Sequence, residues 1–302
     1  MDSARPPRKH HFAPVFHLTE WTGADGELEQ FHRPYGPEVK VRRLSPTATG
    51  FRENLYVMPG LPPHLEQQVE SRFMQHVDDL AAVELARMKA GGLPSTSEQR
   101  SAWTRYMQSL LLRTPADIAG IKARTRIDWG VTIPKIQETY ESLKRIGDPA
   151  TFEEFMTKDD PQMVERVAMK LATVLIDNPS MGTFINNMKW DVLDLSGADH
   201  ALLTSDLGPE QILGLGDSRA FITLPLTPTL LFIAARTADS IANLRRHSPR
   251  RLVRARNASA VKMARDYVWA ADRSQEIFIR RHFGTVLAPR LGERLAETAD
   301  GA

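Results

Sequence analysis

Two adjacent histidines, His10 and His11, an arginine before a Thr-Pro step, Arg113, and an aspartate closing an apolar run, Asp206, are residues whose types combine into chemistry. A histidine serves as general base or metal ligand, and an aspartate orients it or joins it on a metal. A planar guanidinium neutralises charge developing on a phosphoryl or carboxyl group. His11, Asp206 and Arg113 together describe a catalytic, hydrolase-like site for a phosphodiester or other anionic substrate. Asn257 sits inside a patterned helical segment where asparagine is intrinsically poor, so its amide asks for a polar partner. With Arg250 and Arg254 nearby it completes a set of candidate substrate-binding residues.

Each of these residues also has a plainer reading. Asp206 caps the turn after a strand, His11 donates to a backbone carbonyl, and Arg113 complements the negative end of a helix. On an extended strand His10 and His11 point to opposite faces, so only one of them joins a given site. His11 and His17 share a face but stand about 20 Å apart, too far to clamp one metal. Cysteine is absent, which excludes disulfides, thiolate metal sites and a cysteine nucleophile and leaves metal binding to histidine and carboxylates. The chain contains no G-x-x-x-x-G-K-[ST] loop, no G-x-G-x-x-G, no H-E-x-x-H and no G-x-S-x-G, so no metal or cofactor is named by motif.

The rival to catalysis is binding. Net charge is only +2, yet residues 245–256 carry Arg245, Arg246, His247, Arg250, Arg251, Arg254 and Arg256 without an acid. That density attracts phosphates by counterion release and supports a non-catalytic protein that holds nucleic acid or another anionic partner on this basic helix. The bland alternative is a solvated face whose arginines pair with carboxylates. The apolar runs are far too short to span a bilayer and the basic N-terminus has no apolar stretch behind it, so a cytoplasmic protein without membrane contact is expected.

The elements that must position these residues are mostly helices. With 42% hydrophobic and 25% charged residues in 302, the chain has enough apolar surface to fold. Alternation over Phe12 to Leu18 predicts an N-terminal strand, and Leu28 to His32 with Val39 to Val41 a hairpin. Apolar spacing from Pro63 to Lys89 predicts an amphipathic helix stopped by Gly91-Gly92. Further starts are read at the Ser95-Thr96-Ser97-Glu98 capping box, at Thr114-Pro115, at Thr151 to Glu154 and at Asp160-Pro161, with an interruption near Gly130 to Pro134. After Pro179 the pattern turns β-like in Trp190 to Leu195, Ala201 to Thr204, Ala220 to Leu224 and Leu230 to Ala235. Helices return at Ala238 to Leu244, Pro249 to Ala270 and Ser274 to Phe283. The expectation is an α+β domain over residues 10–290, with a helical insertion at about 62–178 and a small antiparallel sheet of the N-terminal strand and strands from about 188–236. A disordered arm (1–9) and a fraying tail (291–302) flank it. Trp103, Trp190 and Trp269 read as core residues, while Trp21 is less constrained.

Four stretches carry a resemblance: His10-His11-Phe12-Ala13-Pro14-Val15-Phe16-His17-Leu18, Arg113-Thr114-Pro115, Leu203-Thr204-Ser205-Asp206 after a strand containing Trp190, and Pro225-Leu226-Thr227-Pro228. In these, together with the helix bearing Arg256-Asn257, the chain resembles the bacterial family known as domain of unknown function 4238. The family opening places glutamine where Val15 stands and an aromatic where His17 stands. Its Ser-Asp pair is followed two residues later by proline, where this chain has Leu207-Gly208-Pro209. The resemblance implies a shared fold and a shared polar site, and brings no substrate, reaction or cofactor with it.

Overall fold

The computed structural model describes residues 8–158 and 160–297. The architecture is α+β, predominantly helical, with several small antiparallel sheets. Most of the disordered arm expected at the N-terminus lies outside the described residues, but Lys9 opens strand β1 (Lys9–His11). That strand is shorter than the alternating pattern suggests. Pro14 ends the extended run and starts the one-turn helix α1 (Val15–Leu18), which puts His17 on a helix instead of a strand. Strands β2 (Leu28–His32) and β3 (Lys40–Leu44) form the expected hairpin. β4 (Phe51–Glu53), unmarked in the sequence, pairs with β1 in register His11 to Phe51.

The long helical reading from Pro63 resolves into a short helix α2 (Pro63–Glu66), a π-helical stretch Val69–Met74, and α3 (Gln75–Lys89). α4 (Ser97–Leu110) begins at Thr96, whose side chain and that of Gln99 make a reciprocal capping box one residue later than the Ser95 and Glu98 pattern proposes. α5 (Pro115–Leu143) starts at the Thr114 cap and runs unbroken for 29 residues past Gly130 and Pro134, where an interruption is expected. The proline removes only one backbone bond, on a largely exposed helix. α6 (Phe152–Thr157) has the Thr151 and Glu154 capping box, and α7 (Met163–Ile176) and α8 (Pro179–Asn186) follow.

The strands expected from residue 188 onward appear as β5 (Lys189–Asp194), β6 (Thr204–Ser205), β8 (Phe221–Pro225) and β9 (Leu230–Ala235), with β7 (Glu210–Ile212) between them. They divide between two sheets, ordered β5-β9-β8-β7 and β3-β2-β10-β6, and β1 belongs to neither. β9 is apolar throughout because both of its faces are covered. Phe232 and Ala234 pack toward Trp103 and Tyr106 of α4, while Leu231, Ile233 and Ala235 pack toward Ile241 of α9 (Ala238–Arg245) and Val253 of α10 (Pro249–Lys262). Helix α10 stops eight residues short of the expected Ala270. Tyr267–Ala270 forms β10, an interior strand that pairs with both β2 and β6. α11 (Glu276–His282) and α12 (Leu291–Glu297) complete the chain. The expected frayed tail is therefore helical over Leu291–Glu297, its remaining residues lying outside the described set. α12 reaches α5 where Gly120 faces Gly292 so closely that neither position has room for a side chain, and the Gly292 amide donates to Asp117 at 3.0 Å. All of Trp21, Trp103 and Trp269 are fully buried, and no described helix is long and apolar enough to cross a membrane.

His17 ties three of these elements together. Its Nε2 donates to the Pro225 carbonyl at 2.8 Å and its Nδ1 accepts from the Tyr106 hydroxyl at 2.5 Å. Burial lowers its pKa from 6.5 to about 4, against the smaller upward pull of Pro225. The unfolded chain thus binds a proton below pH 6.5 that the folded one refuses until about 4. Stability falls through that window as pH falls, by about 3 kcal/mol from this residue. Chemical unfolding of His17→Gln between pH 7 and 4 is expected to show a flatter pH dependence than the parent.

Candidate functional site

On β1, His10 and His11 face opposite ways, as strand geometry dictates. His10 is fully buried, accepting from the Tyr56 amide at 2.8 Å, with its Nε2 2.6 Å from the Gln67 side-chain oxygen and its ring stacked on Tyr56. It braces β1 against the residues after β4. The His11 ring turns instead to an open cleft of about 660 Å³, bounded by Lys9, Phe16, Thr47, Glu70 and Asp78. Glu70, one of its lining residues, lies in the π-helical stretch, a feature common at functional sites.

The cleft holds two titratable groups moved toward neutrality from opposite sides. Burial pushes the Glu70 carboxyl up to about 7, although Arg113 and the His11 amide pull it down. Burial lowers the His11 imidazole, opposed by the Thr47 main chain and helped by Arg113 and Lys9. His11 Nε2 and Glu70 Oε2 are both buried and both lack a hydrogen-bond partner. Such atoms cost free energy unless something arrives to use them. The Lys9 ammonium lies 4.6 Å from the centre of the Phe51 ring at the cleft edge.

Arg113 stands behind this surface. It is completely buried, donates to both carboxylate oxygens of Asp78 at 2.7 and 3.0 Å, and donates to the His11 carbonyl at 2.7 Å. Burial opposes its charge, and Asp78, Tyr56 and Glu70 more than restore it. The structure thus joins Arg113 to His11, but through the main chain. Its two terminal nitrogens are taken by Asp78 and the His11 carbonyl, so it anchors the site.

Asp206 is elsewhere. It lines a different, small cavity with Phe12, His17 and Trp269. Its carboxylate accepts from the Arg265 and Asp266 amides at 3.0 and 2.7 Å and is ion-paired with Arg290 at 3.1 Å. It shares no hydrogen bond or cavity with His11 and stitches β6 to the segment entering β10. Asp206→Ala is expected to cost about 3 to 5 kcal/mol, as for a buried ion pair that loses one partner, and to leave the cleft chemistry untouched. A urea midpoint shift is the readout.

Asn257 is also structural. It accepts from the Leu203 amide at 2.9 Å and donates to the Ala201 carbonyl at 2.8 Å and to Gln275 at 2.9 Å. Arg250 pairs with Asp199 at 2.9 Å, and Arg245 and Arg256 pair with Asp191 and Glu210, so much of the basic run is neutralised. Arg254 is exposed beside Asn257 at another cavity. Glu70 and Asp78 escaped the sequence reading. A signal was present, because Glu70, Met74 and Asp78 fall at intervals of four and flank a buried methionine. Among the described residues, no group of three or more His, Cys, Asp or Glu is arranged to hold a metal ion. Elsewhere the buried Arg256 and Asp206 are engaged in ion pairs of general structural character.

Residues 9–274 match the model of a family described as a protein of unknown function, DUF4238. Neither the comparison with curated proteins nor that with solved structures returns a match.

Proposed function

The chain belongs to the DUF4238 family, whose description names no reaction, and from the cleft itself we propose that the protein is an acid-base catalyst acting on a phosphodiester or other anionic ester. The observation that carries this reading is the pairing, in one open cleft, of His11 and Glu70, each with a buried atom that has no partner and each titrating toward neutrality. Near pH 7 the imidazole is neutral and able to accept a proton, while about half of the Glu70 carboxyls hold one to give. His11 Nε2 takes the proton of the attacking water or hydroxyl as its oxygen bonds to phosphorus. Glu70 gives its proton to the leaving oxygen as that bond breaks, and exchange with solvent restores both. Lys9 supplies positive charge at the edge of the cleft. Arg113 acts through others, fixing the His11 main chain and sharing its charge with Asp78.

The test is hydrolysis of bis(p-nitrophenyl) phosphate and of a short single-stranded RNA by the full chain, at about pH 5 to 8, the range in which such a pair works, with EDTA and with magnesium. Cleavage that persists in EDTA and falls by about 10² or more in His11→Ala supports the proposal. No cleavage of either substrate under any of these conditions overturns it for phosphodiesters.

A further inference from the structure

A second cavity, of about 500 Å³, lies between α10 and α11. Its charge is one-sided. Arg254 comes from α10, Arg281 and His282 from α11, and His200 from the loop after β5, and no aspartate or glutamate lines it. Several neighbouring arginines are neutralised. Arg245, Arg250 and Arg256 are all in ion pairs, as is Arg280 with Glu276 at 2.7 Å. Among the described residues no ion pair or side-chain hydrogen bond engages the guanidinium of Arg254 or Arg281. The unpaired positive charge of this region therefore lies partly in a concave site, at Arg254 and Arg281, and partly on open surface, at Arg246 and Arg251.

The floor of the cavity is rigid. Both amide hydrogens of Asn257 are spent, on Ala201 and Gln275, and Gln275 donates to Ala201 at 2.9 Å. This accounts for an asparagine inside a helix, and makes Asn257 a brace for the cavity and not a ligand donor. One wall is apolar, formed by Ile277 and the half-buried Phe278, whose ring lies 5.0 Å from that of His282.

We propose that this cavity binds a phosphorylated small molecule of the nucleotide class, its phosphate between Arg254 and Arg281 and its base against Phe278 and Ile277. Guanidinium forks match phosphate oxygens in two-bond geometry, and two unpaired like charges are relieved by a dianion. The volume exceeds the needs of bare phosphate and falls among ordinary ligand sites, about 300 to 1,000 Å³. The apolar wall suits the flat face of a base. This inference stands apart from the His11 cleft and survives if that cleft proves inert.

Isothermal titration of the full chain with adenosine, guanosine, cytidine and uridine monophosphates, with the bare nucleosides, with inorganic phosphate and with a single-stranded RNA tests it. At least one nucleoside monophosphate is expected to bind, with its nucleoside and inorganic phosphate each weaker by about tenfold or more. Arg254→Gln and Arg281→Gln are each expected to weaken it by about tenfold or more, while Arg251→Gln, on the same helix but outside the cavity, leaves it unchanged. Both cavity arginines are exposed, so the variants keep the fold, which a thermal melt verifies. The proposal is overturned by absence of binding at millimolar nucleotide, by binding indifferent to both substitutions, by phosphate binding as tightly as any nucleotide, or by RNA binding that depends equally on Arg251.

Discussion

Arg113→Met is expected to destabilise the fold by about 3 to 5 kcal/mol, the cost of breaking a buried ion pair by removing one partner. The side chain is fully buried, and its removal leaves the Asp78 carboxylate, only 19% exposed, without its counter-charge and the His11 carbonyl without its donor. The loss exceeds that of a surface ion pair, worth about 1 kcal/mol or less, because water cannot replace the guanidinium at a position with no solvent exposure. Arg113→Lys is expected to recover only part of it, since a single ammonium cannot donate in plane to both Asp78 oxygens and also reach His11. Asp78→Asn should cost at least as much as Arg113→Met, because it strands a guanidinium with no solvent exposure that cannot shed its charge, whereas a stranded Asp78 carboxyl can take up a proton. Urea unfolding of the three variants gives the order directly. A loss below about 1 kcal/mol for Arg113→Met would place the pair among ordinary surface contacts and remove Arg113 as the support of β1.

The sequence was readable where the deciding chemistry is local. Thr114-Pro115 and the Thr151 to Glu154 box mark helix starts because cap and first turn lie within four residues of each other. The capping box of α4 slipped by one residue because Ser95, Thr96 and Ser97 all offer hydroxyls and only packing selects Thr96. β10 was hidden for a related reason. The stripe through Ala260, Val261, Ala264 and Val268 continues at helical spacing past the end of α10, and only the pairing of Tyr267–Ala270 with β2, from the far end of the chain, makes it a strand. The site itself is non-local throughout. His11 and Arg113 were recognised as polar residues in patterned surroundings, but nothing near Asp206 in sequence shows that its carboxylate is spent on the Arg265 and Asp266 amides. The spacing of Glu70, Met74 and Asp78 gives them one helical face, but nothing local shows that this face meets His11. Residue types announced candidate chemistry, and tertiary contacts decided which candidates were already occupied.

Glu70→Gln is expected to lower kcat/KM by about 10² to 10⁴, the range for loss of one general acid or base, without lowering stability near pH 8. The sign follows from linkage. The folded Glu70 titrates at about 7 and the unfolded one at 4.5, so between those values the folded state holds a proton that the unfolded state has released. Stability from this residue is present below 4.5 and is lost as pH rises through 7, which means that at pH 8 the native protein carries a buried, ionised carboxylate it would fold better without. Glutamine keeps the shape and removes that charge, and because Glu70 Oε2 has no partner, no hydrogen bond at that atom is surrendered. The urea midpoint at pH 8 should therefore stay level or rise while turnover collapses, a combination that a merely structural glutamate cannot produce. Under the proposed acid-base chemistry the parent protein should show a bell-shaped kcat/KM profile. Its rising limb below pH 6.5 follows deprotonation of His11, and its falling limb near 7 follows ionisation of Glu70. In His11→Ala the rising limb should disappear from the residual activity, and in Glu70→Gln the falling limb. If both limbs persist in both variants, the titrating groups lie elsewhere and the cleft is not where the chemistry happens.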